Sequence, residues 1–319
     1  FQTDPDRVLA KDVILVLDQS GSMEGAKFQQ AQEALKFVLD HLNVEDRFNI
    51  VAFSTGTRQY AGELQPASRS DDAKDWVGRL SAEGGTDINL ALLAAMRMAE
   101  GGERPGIVIF LTDGLPTEGE TSTEAILNNV RRSAPENARL FAFGLGDDVD
   151  TILLDTLVEQ NHGASAYVRP GQRIDEEVSA FYQKVSAPVL AAPALDFGSI
   201  NTYDLYPQTL PDLFAGSQIV LLGRYSGPGP ASIELSGLAG GRNRVTFNYS
   251  DQTFRASGGP DFLPRLWATR KIGYLLNQIR LHGAEKELVD QVVALSIRYG
   301  IVTPYTSYLV AEENVLGAQ

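Results

Sequence analysis

The stretch LVLDQSGSM places an aspartate and two serines directly after an apolar run. Asp18, Ser20 and Ser22 alternate along the chain, so an extended loop would direct their oxygen atoms to one side, and Gly21 permits a tight turn between the serines. Side chains of these types serve three kinds of chemistry. The three side chains could together bind a metal ion, the aspartate could act as a nucleophile, or the serines could cap the helix that follows.

Two later segments offer oxygen atoms in a comparable position. Thr86 stands in the glycine-containing stretch EGGTD before a helical pattern, and Asp113 follows the most apolar run of the chain, in LTDG. In an open parallel sheet, ligands bind beyond the carboxyl ends of the strands, where the strand order switches. We therefore expect Asp18, Ser20 and Ser22 to meet Thr86 and Asp113 on one rim.

A set of ligands made only of oxygen atoms is typical of a hard cation, Mg²⁺, Mn²⁺ or Ca²⁺. Two of the five groups are anionic and three are neutral hydroxyls, and the hydroxyls leave a bound dication underneutralised. An open coordination position should then favour a carboxylate from another molecule. A bound dication also reverses the local field, although the chain carries a formal net charge of −14.

Residues 12–185 alternate between short β-branched apolar runs and segments with helical periodicity, which predicts a mostly parallel sheet covered by helices on both faces. The predicted strands are 12–18, 47–53, 106–114, 139–146 and 164–169. The predicted helices are 27–42, 70–82, 88–100, 122–134, 151–161 and 174–187. Asp87 is expected to cap the helix that begins at Ile88.

The pattern changes after this α/β region. Prolines interrupt residues 186–199, and alternating runs punctuated by glycine then predict a small antiparallel sandwich. Helical periodicity returns from Asp261, with Gly300 as the expected cap of a second helix, and residues 301–310 are expected to be extended. The predicted organisation is an extension over 1–11, an α/β domain over 12–187, a β-sandwich over 188–258, and a helical hairpin with a terminal extended segment over 259–319.

Composition excludes several classes of function. The chain has 319 residues and no cysteine, which rules out disulfides and thiolate metal sites. The acidic net charge argues against nucleic acid, because phosphate binding needs a basic surface. No window reaches the roughly 18 apolar residues of a membrane span, and residues 1–20 lack a basic start followed by an apolar segment. We expect no membrane insertion and no targeting segment in this chain.

Three motifs together, LDQSGSM, GGTDI and LTDG, resemble the metal-ion-dependent adhesion site of von Willebrand factor A domains over about residues 10–185. The resemblance implies a doubly wound, Rossmann-like sheet with Ser20, Ser22 and Thr86 on the metal. It implies that Asp18 and Asp113 bind the ion directly or through water. It also implies a non-enzymatic adhesion module whose metal takes a Glu or Asp from a protein partner.

Further segments, TDGLPTEGET, FLPRLWATRKI and YGIVTPYTSYLV, look like the heavy chains of inter-α-trypsin inhibitor and their bacterial relatives. This resemblance implies an extracellular, cell-surface or periplasmic location. Two features of the heavy chains are missing from this sequence, namely the domain that precedes their A domain and the carboxy-terminal DPH motif that attaches a glycosaminoglycan. Attachment to hyaluronan is therefore not expected, and the chain looks closer to the bacterial type.

Two other functions compete with adhesion. A phosphatase of the haloacid dehalogenase type would use Asp18 as nucleophile beside Mg²⁺, but that chemistry resembles a D-x-D motif, and Ser20 stands where the second acid is needed. A structural interaction module that binds no metal is the other alternative. The three histidines do not occur in H-E-x-x-H and are expected at the surface.

Overall fold

The computed structural model describes residues 10–100, 104–185, 188–214, 218–239 and 243–306. Contacts divide the chain into two compact units, which we describe separately. The first unit comprises residues up to 198 together with 209–220 and 232–250, and the second comprises 199–208, 221–231 and the residues from 251 onward. The division at 187 and 258 that the sequence suggests stays a prediction, and residues 1–9 of the proposed extension lie outside the described ranges.

The first unit is built on a seven-stranded, mostly parallel sheet. Its strands are β1 Asp12–Asp18, β2 Arg47–Phe53, β3 Thr57–Gln59, β4 Gln65–Pro66, β5 Gly106–Thr112, β6 Ala138–Leu145 and β7 Ser165–Val168. The order across the sheet is β3-β2-β1-β5-β6-β7, with β4 also paired to β2. Strands β2, β1, β5, β6 and β7 run parallel, and the short β3 and β4 run antiparallel to β2. The most apolar strand, β5, lies centrally, as its sequence predicts.

Helices cover both faces of this sheet. They are α1 Ala26–Asp40, α2 Ser70–Gly78, α3 Ile88–Ala99, α4 Thr123–Ser133, α5 Thr151–Gln160 and α6 Ile174–Val185. Helix α1 packs against α2 and α6, whereas α4 packs against α3 and α5. Every residue of β1 is buried, and alternate residues Val13, Leu15 and Leu17 join the core under α1. The predicted fold class, a doubly wound α/β sheet with added β structure and carboxy-terminal helices, is confirmed.

The segment in which prolines predicted a break contains a strand. Strand β8, Pro188–Asp196, joins β10 Leu213–Phe214, β12 Gly229–Ala239 and β13 Asn243–Phe254 in an antiparallel sheet of order β10-β8-β12-β13. Sheets tolerate proline at the first residue of a strand or at a bulge. Pro188 is the first residue of β8, and Pro193 lies where the register with β12 shifts. The sequence pattern therefore missed β8 because both prolines occupy permitted positions.

The second unit contains a two-stranded sheet and two helices. Strands β9 Asn201–Tyr206 and β11 Leu222–Ser226 pair antiparallel, and the helices are α7 Phe262–His282 and α8 Lys286–Tyr299. The indole of Trp267 is buried and its Nε1 donates to the carbonyl of Asp204 at 3.0 Å. Gly300 adopts the left-handed conformation that ends α8, as expected. No helix of the described residues is long and apolar enough to cross a membrane.

Candidate metal centre

The predicted ligands lie at the carboxyl edge of the parallel sheet. Strand β1 has β2 as its neighbour on one side and β5 as its neighbour on the other. Asp18 ends β1, and Asp113 directly follows β5. Ser20 and Ser22 lie in the turn between β1 and α1, and Thr86 precedes α3. Strand order switches at this point, which is where open α/β sheets form their ligand crevice.

Three of the five side chains form a continuous hydrogen-bonded group. The Oγ atoms of Ser20 and Ser22 are 3.0 Å apart, and Ser22 Oγ donates to Asp113 Oδ1 at 2.8 Å. Ser20 and Asp113 are buried, whereas Ser22 is exposed. A cation bound to these oxygens would therefore be reached from solvent on the side of Ser22.

Asp18 is the most deeply placed member of the set and has no exposed surface. Its Oδ1 accepts from the backbone N–H of Ser20 at 2.8 Å, and its Oδ2 accepts from the hydroxyl of Thr112 at 2.6 Å. Burial raises the pKa of Asp18 to about 6, although the hydrogen bonds from Thr112 and Ser20 act in the opposite direction. The ionised carboxylate is thus poorly compensated, and a cation at this edge would stabilise it.

Thr86 reaches the same edge through the loop before α3. Its Oγ1 is 3.8 Å from the position that a Cβ atom of residue 114 would occupy, which places the hydroxyl beside the residue after Asp113. Asp87 caps α3 as predicted, because its Oδ1 accepts from the N–H of Leu90 at 2.9 Å. The cap orients the helix and leaves the preceding threonine at the rim.

The serines do not cap α1, which was one alternative for this motif. The residue before α1 is Gly25, and Ser20 makes no capping hydrogen bond from its side chain. Between them, residues 21–23 form a short 3₁₀ turn that separates the serines from the helix. Backbone hydrogen bonds hold this turn, since the N–H of Gly21 donates to Gly84 O at 3.0 Å. The serine hydroxyls are consequently free of a helix-capping role.

The loop after β5 contributes residues that sequence reasoning missed. The hydroxyl of Thr117 accepts from the N–H of Thr86 at 3.0 Å, while the N–H groups of Thr117 and Glu118 both donate to the carbonyl of Thr86. A short polar side chain in the acidic stretch TEGET gave no signal of this role. Thr117 therefore holds the Thr86 loop against the Asp113 loop.

Replacing Thr117 with valine should weaken the rim. We expect Thr117→Val to lower the free energy of unfolding by about 1–2 kcal/mol, because the backbone N–H of Thr86 loses its acceptor. Urea unfolding measures this loss, and calorimetry should show weaker binding of Mn²⁺ to the displaced loop. Thr121→Val, at an exposed threonine in the same region, is the matched control. Equal behaviour of the two variants would contradict this role for Thr117.

Comparison with known proteins agrees with this architecture. Residues 11–167 match the family model of the von Willebrand factor type A domain. This part of the chain is a von Willebrand factor type A domain. A solved von Willebrand factor type A protein from Catenulispora acidiphila has the same fold, with a TM-score of 0.64 at 19% identity, over 92% of this chain and 80% of that one.

Curated relatives extend the similarity beyond the A domain. The chain is 33% identical to human inter-alpha-trypsin inhibitor heavy chain H4 over 96% of its own length. It is 31% identical to human inter-alpha-trypsin inhibitor heavy chain H2 over 97% of its own length. The similarity includes both units of the structure, and the resemblance to these heavy chains is confirmed. The chain spans 35% of the length of each relative.

Proposed function

We propose that the A domain binds a divalent cation through Asp18, Ser20, Ser22, Thr86 and Asp113. Mg²⁺ is the first choice, with Mn²⁺ or Ca²⁺ as alternatives. The convergence of hydroxyl and carboxylate oxygens from three loops on one edge of the sheet carries the proposal, and the spacing of two oxygen pairs is compatible with it. Octahedral Mg²⁺ with ligands at ~2.0–2.1 Å places neighbouring oxygens about 3 Å apart. The Ser20–Ser22 and Ser22–Asp113 oxygen pairs, at 3.0 and 2.8 Å, already have this separation.

The charge of the site indicates the kind of partner. Two carboxylates balance the formal charge of a dication, three hydroxyls add no negative charge, and Ser22 is the exposed member of the set. A Glu or Asp from a protein partner would complete the shell, because neutral hydroxyls are weaker donors than carboxylates and a bound dication attracts a further anionic ligand. We infer a protein-binding, adhesion-type function outside the cell or at its surface, supported by the A domain and by the similarity to the heavy chains.

The burial of Asp18 supports binding over catalysis. A phosphatase nucleophile must present a free oxygen to phosphorus. In Asp18 one oxygen accepts from Ser20, the other accepts from Thr112, and the residue has no exposed surface. A substrate phosphorus therefore has no open approach to Asp18, whereas a cation can be held by its carboxylate through an intervening water. Turnover of p-nitrophenyl phosphate with Mg²⁺ that is lost in Asp18→Asn would restore the enzymatic alternative.

Metal titration tests the proposal directly. We expect Mn²⁺ and Mg²⁺ to give a binding heat and to raise the melting temperature, reversibly with EDTA. A native-state ligand at 100 times its Kd adds about 2.7 kcal/mol to the free energy of unfolding. If neither ion changes the heat or the melting temperature, the metal-free interaction module becomes the better description.

A further inference from the structure

A lysine lies directly against the candidate ligands. Lys27, in the first turn of α1, forms an ion pair through its Nζ with Asp113 Oδ2. The same Nζ donates to the backbone carbonyl of Ser22 at 3.3 Å. The side chain of Lys27 is 34% exposed, whereas that of Asp113 is 1% exposed. The ammonium group therefore approaches the rim from solvent and neutralises a buried carboxylate.

The two oxygens of Asp113 have different partners. Oδ1 accepts from Ser22 Oγ and faces the hydroxyl group of the candidate shell, while Oδ2 takes the ammonium of Lys27. A cation at the hydroxyl side and the ammonium on the far oxygen would thus share one carboxylate. Both positive charges are attracted to the same carboxylate and repel each other, so each one weakens the binding of the other to Asp113.

Lys27 changes the net charge of the candidate site. Asp18 and Asp113 supply two negative charges and Lys27 returns one positive charge, so the protein offers a net charge of −1 to a dication. Without Lys27 the net charge would be −2 and the loaded site would be neutral. With Lys27 the loaded site keeps a net charge of about +1, which attracts the carboxylate of a partner.

We infer that Lys27 competes with the metal for Asp113, lowering metal affinity and raising the positive charge that a loaded site shows to its partner. The inference rests on the metal site proposed above and assigns a residue outside its ligand set. In the metal-free protein the ammonium stabilises Asp113. In the loaded protein it opposes the ion. The two states therefore respond to the loss of Lys27 in opposite directions.

The test compares three variants by calorimetric titration with Mn²⁺ and by melting temperature without metal. Lys27→Met should bind Mn²⁺ on the order of tenfold more tightly, and its metal-free melting temperature should fall by roughly 2 °C or more. Lys27→Arg keeps the charge and should resemble the wild type in both measurements. Lys36→Met removes a lysine of similar exposure, 29%, from the same helix and is the matched control.

The outcomes separate this inference from the proposed function. If the wild type binds no Mn²⁺, the metal site itself fails. If the wild type binds but Lys27→Met and Lys36→Met have equal affinity, or Lys27→Met binds more weakly, Lys27 is no competitor. If Lys27→Met does not fold, Lys27→Gln at low ionic strength replaces it in the same comparison. The metal-free melting temperature provides a readout that does not depend on any metal.

Discussion

Asp18→Asn is expected to abolish binding of Mn²⁺ and Mg²⁺ while the fold stays intact. The change removes one of two carboxylates from the proposed shell and keeps the size of the side chain. Loss of groups that only orient a ligand lowers metal affinity about 10–100-fold, so loss of an anionic ligand should lower it by at least a hundredfold. Calorimetric titration with Mn²⁺ measures the affinity, and circular dichroism checks the fold.

The metal-free stability of this variant is equally informative. Burial raises the pKa of Asp18 to about 6, so its ionisation at pH 7.5 opposes folding in the absence of metal. For a carboxyl whose folded-state pKa is raised, the destabilisation appears as pH rises from the unfolded-state value of about 4 through 6. A neutral amide avoids it, so Asp18→Asn should melt no lower than the metal-free wild type at pH 7.5.

The same strand supplies the control. Asp12 begins β1 as Asp18 ends it, is also buried, and pairs with Arg47 at 2.7–2.8 Å through both oxygens. Asp12→Asn should lose stability and keep metal binding, the reverse of the pattern at Asp18. If Asp18→Asn still bound Mn²⁺ with wild-type affinity, the ion would have to bind away from this edge of the sheet. Global unfolding of that variant would mean that Asp18 is a structural residue.

The sequence predicted the parallel strands and the helices of the α/β region because each has its own hydrophobic period, but it missed the short antiparallel strands β3 and β4. β1 and β2 have the predicted bounds, and α1 and α3 differ from theirs by one or two residues. The proximity of Asp18 and Asp113 followed from the rule that the carboxyl ends of parallel strands meet at one edge of the sheet, since Asp18 ends β1 and Asp113 directly follows β5. Local hydrophobic periodicity, and the position that ligands take in all open parallel sheets, can be predicted from the sequence alone.

Contacts between distant segments are not readable in this way. Lys27 and Asp113 are 86 positions apart, and Thr117 and Thr86 are 31 apart. Nothing in the local pattern of a lysine at the start of a helix, or of a threonine in an acidic loop, marks its partner. The sequence pattern missed strand β8 for a different reason. In a sequence, prolines at a strand start and at a bulge look the same as prolines that end regular secondary structure.

Gly163 is the clearest case of a residue whose importance only the packing reveals. It lies in the turn between α5 and β7, in the stretch NHGAS, which looks like an ordinary polar turn. A Cβ atom on Gly163 would lie 1.7 Å from the carbonyl oxygen and 2.6 Å from the carbonyl carbon of Leu140 in β6. Since both are backbone atoms of a buried strand, no side-chain rotation can relieve the overlap.

Gly163→Ala should therefore lower the free energy of unfolding by more than about 4 kcal/mol, or prevent folding, because backbone must shift to admit one methyl group. Urea unfolding measures the loss. Gly56→Ala, in the turn between β2 and β3 where a Cβ atom would meet nothing within 4 Å, should change stability little. Wild-type stability in Gly163→Ala would show that β6 and the turn separate easily.

Gly163→Ala is expected to lose stability and Asp18→Asn to lose metal binding, because the two residues lie at opposite ends of the same sheet. Leu140 is near the start of β6, where the turn after α5 closes on the strand and leaves no space. Asp18 is at the end of β1, where the side chains hold charge that the fold alone does not neutralise. We expect Gly163→Ala to remove stability and, with it, any metal binding. We expect Asp18→Asn to remove metal binding alone, as for a ligand at the edge of a rigid sheet.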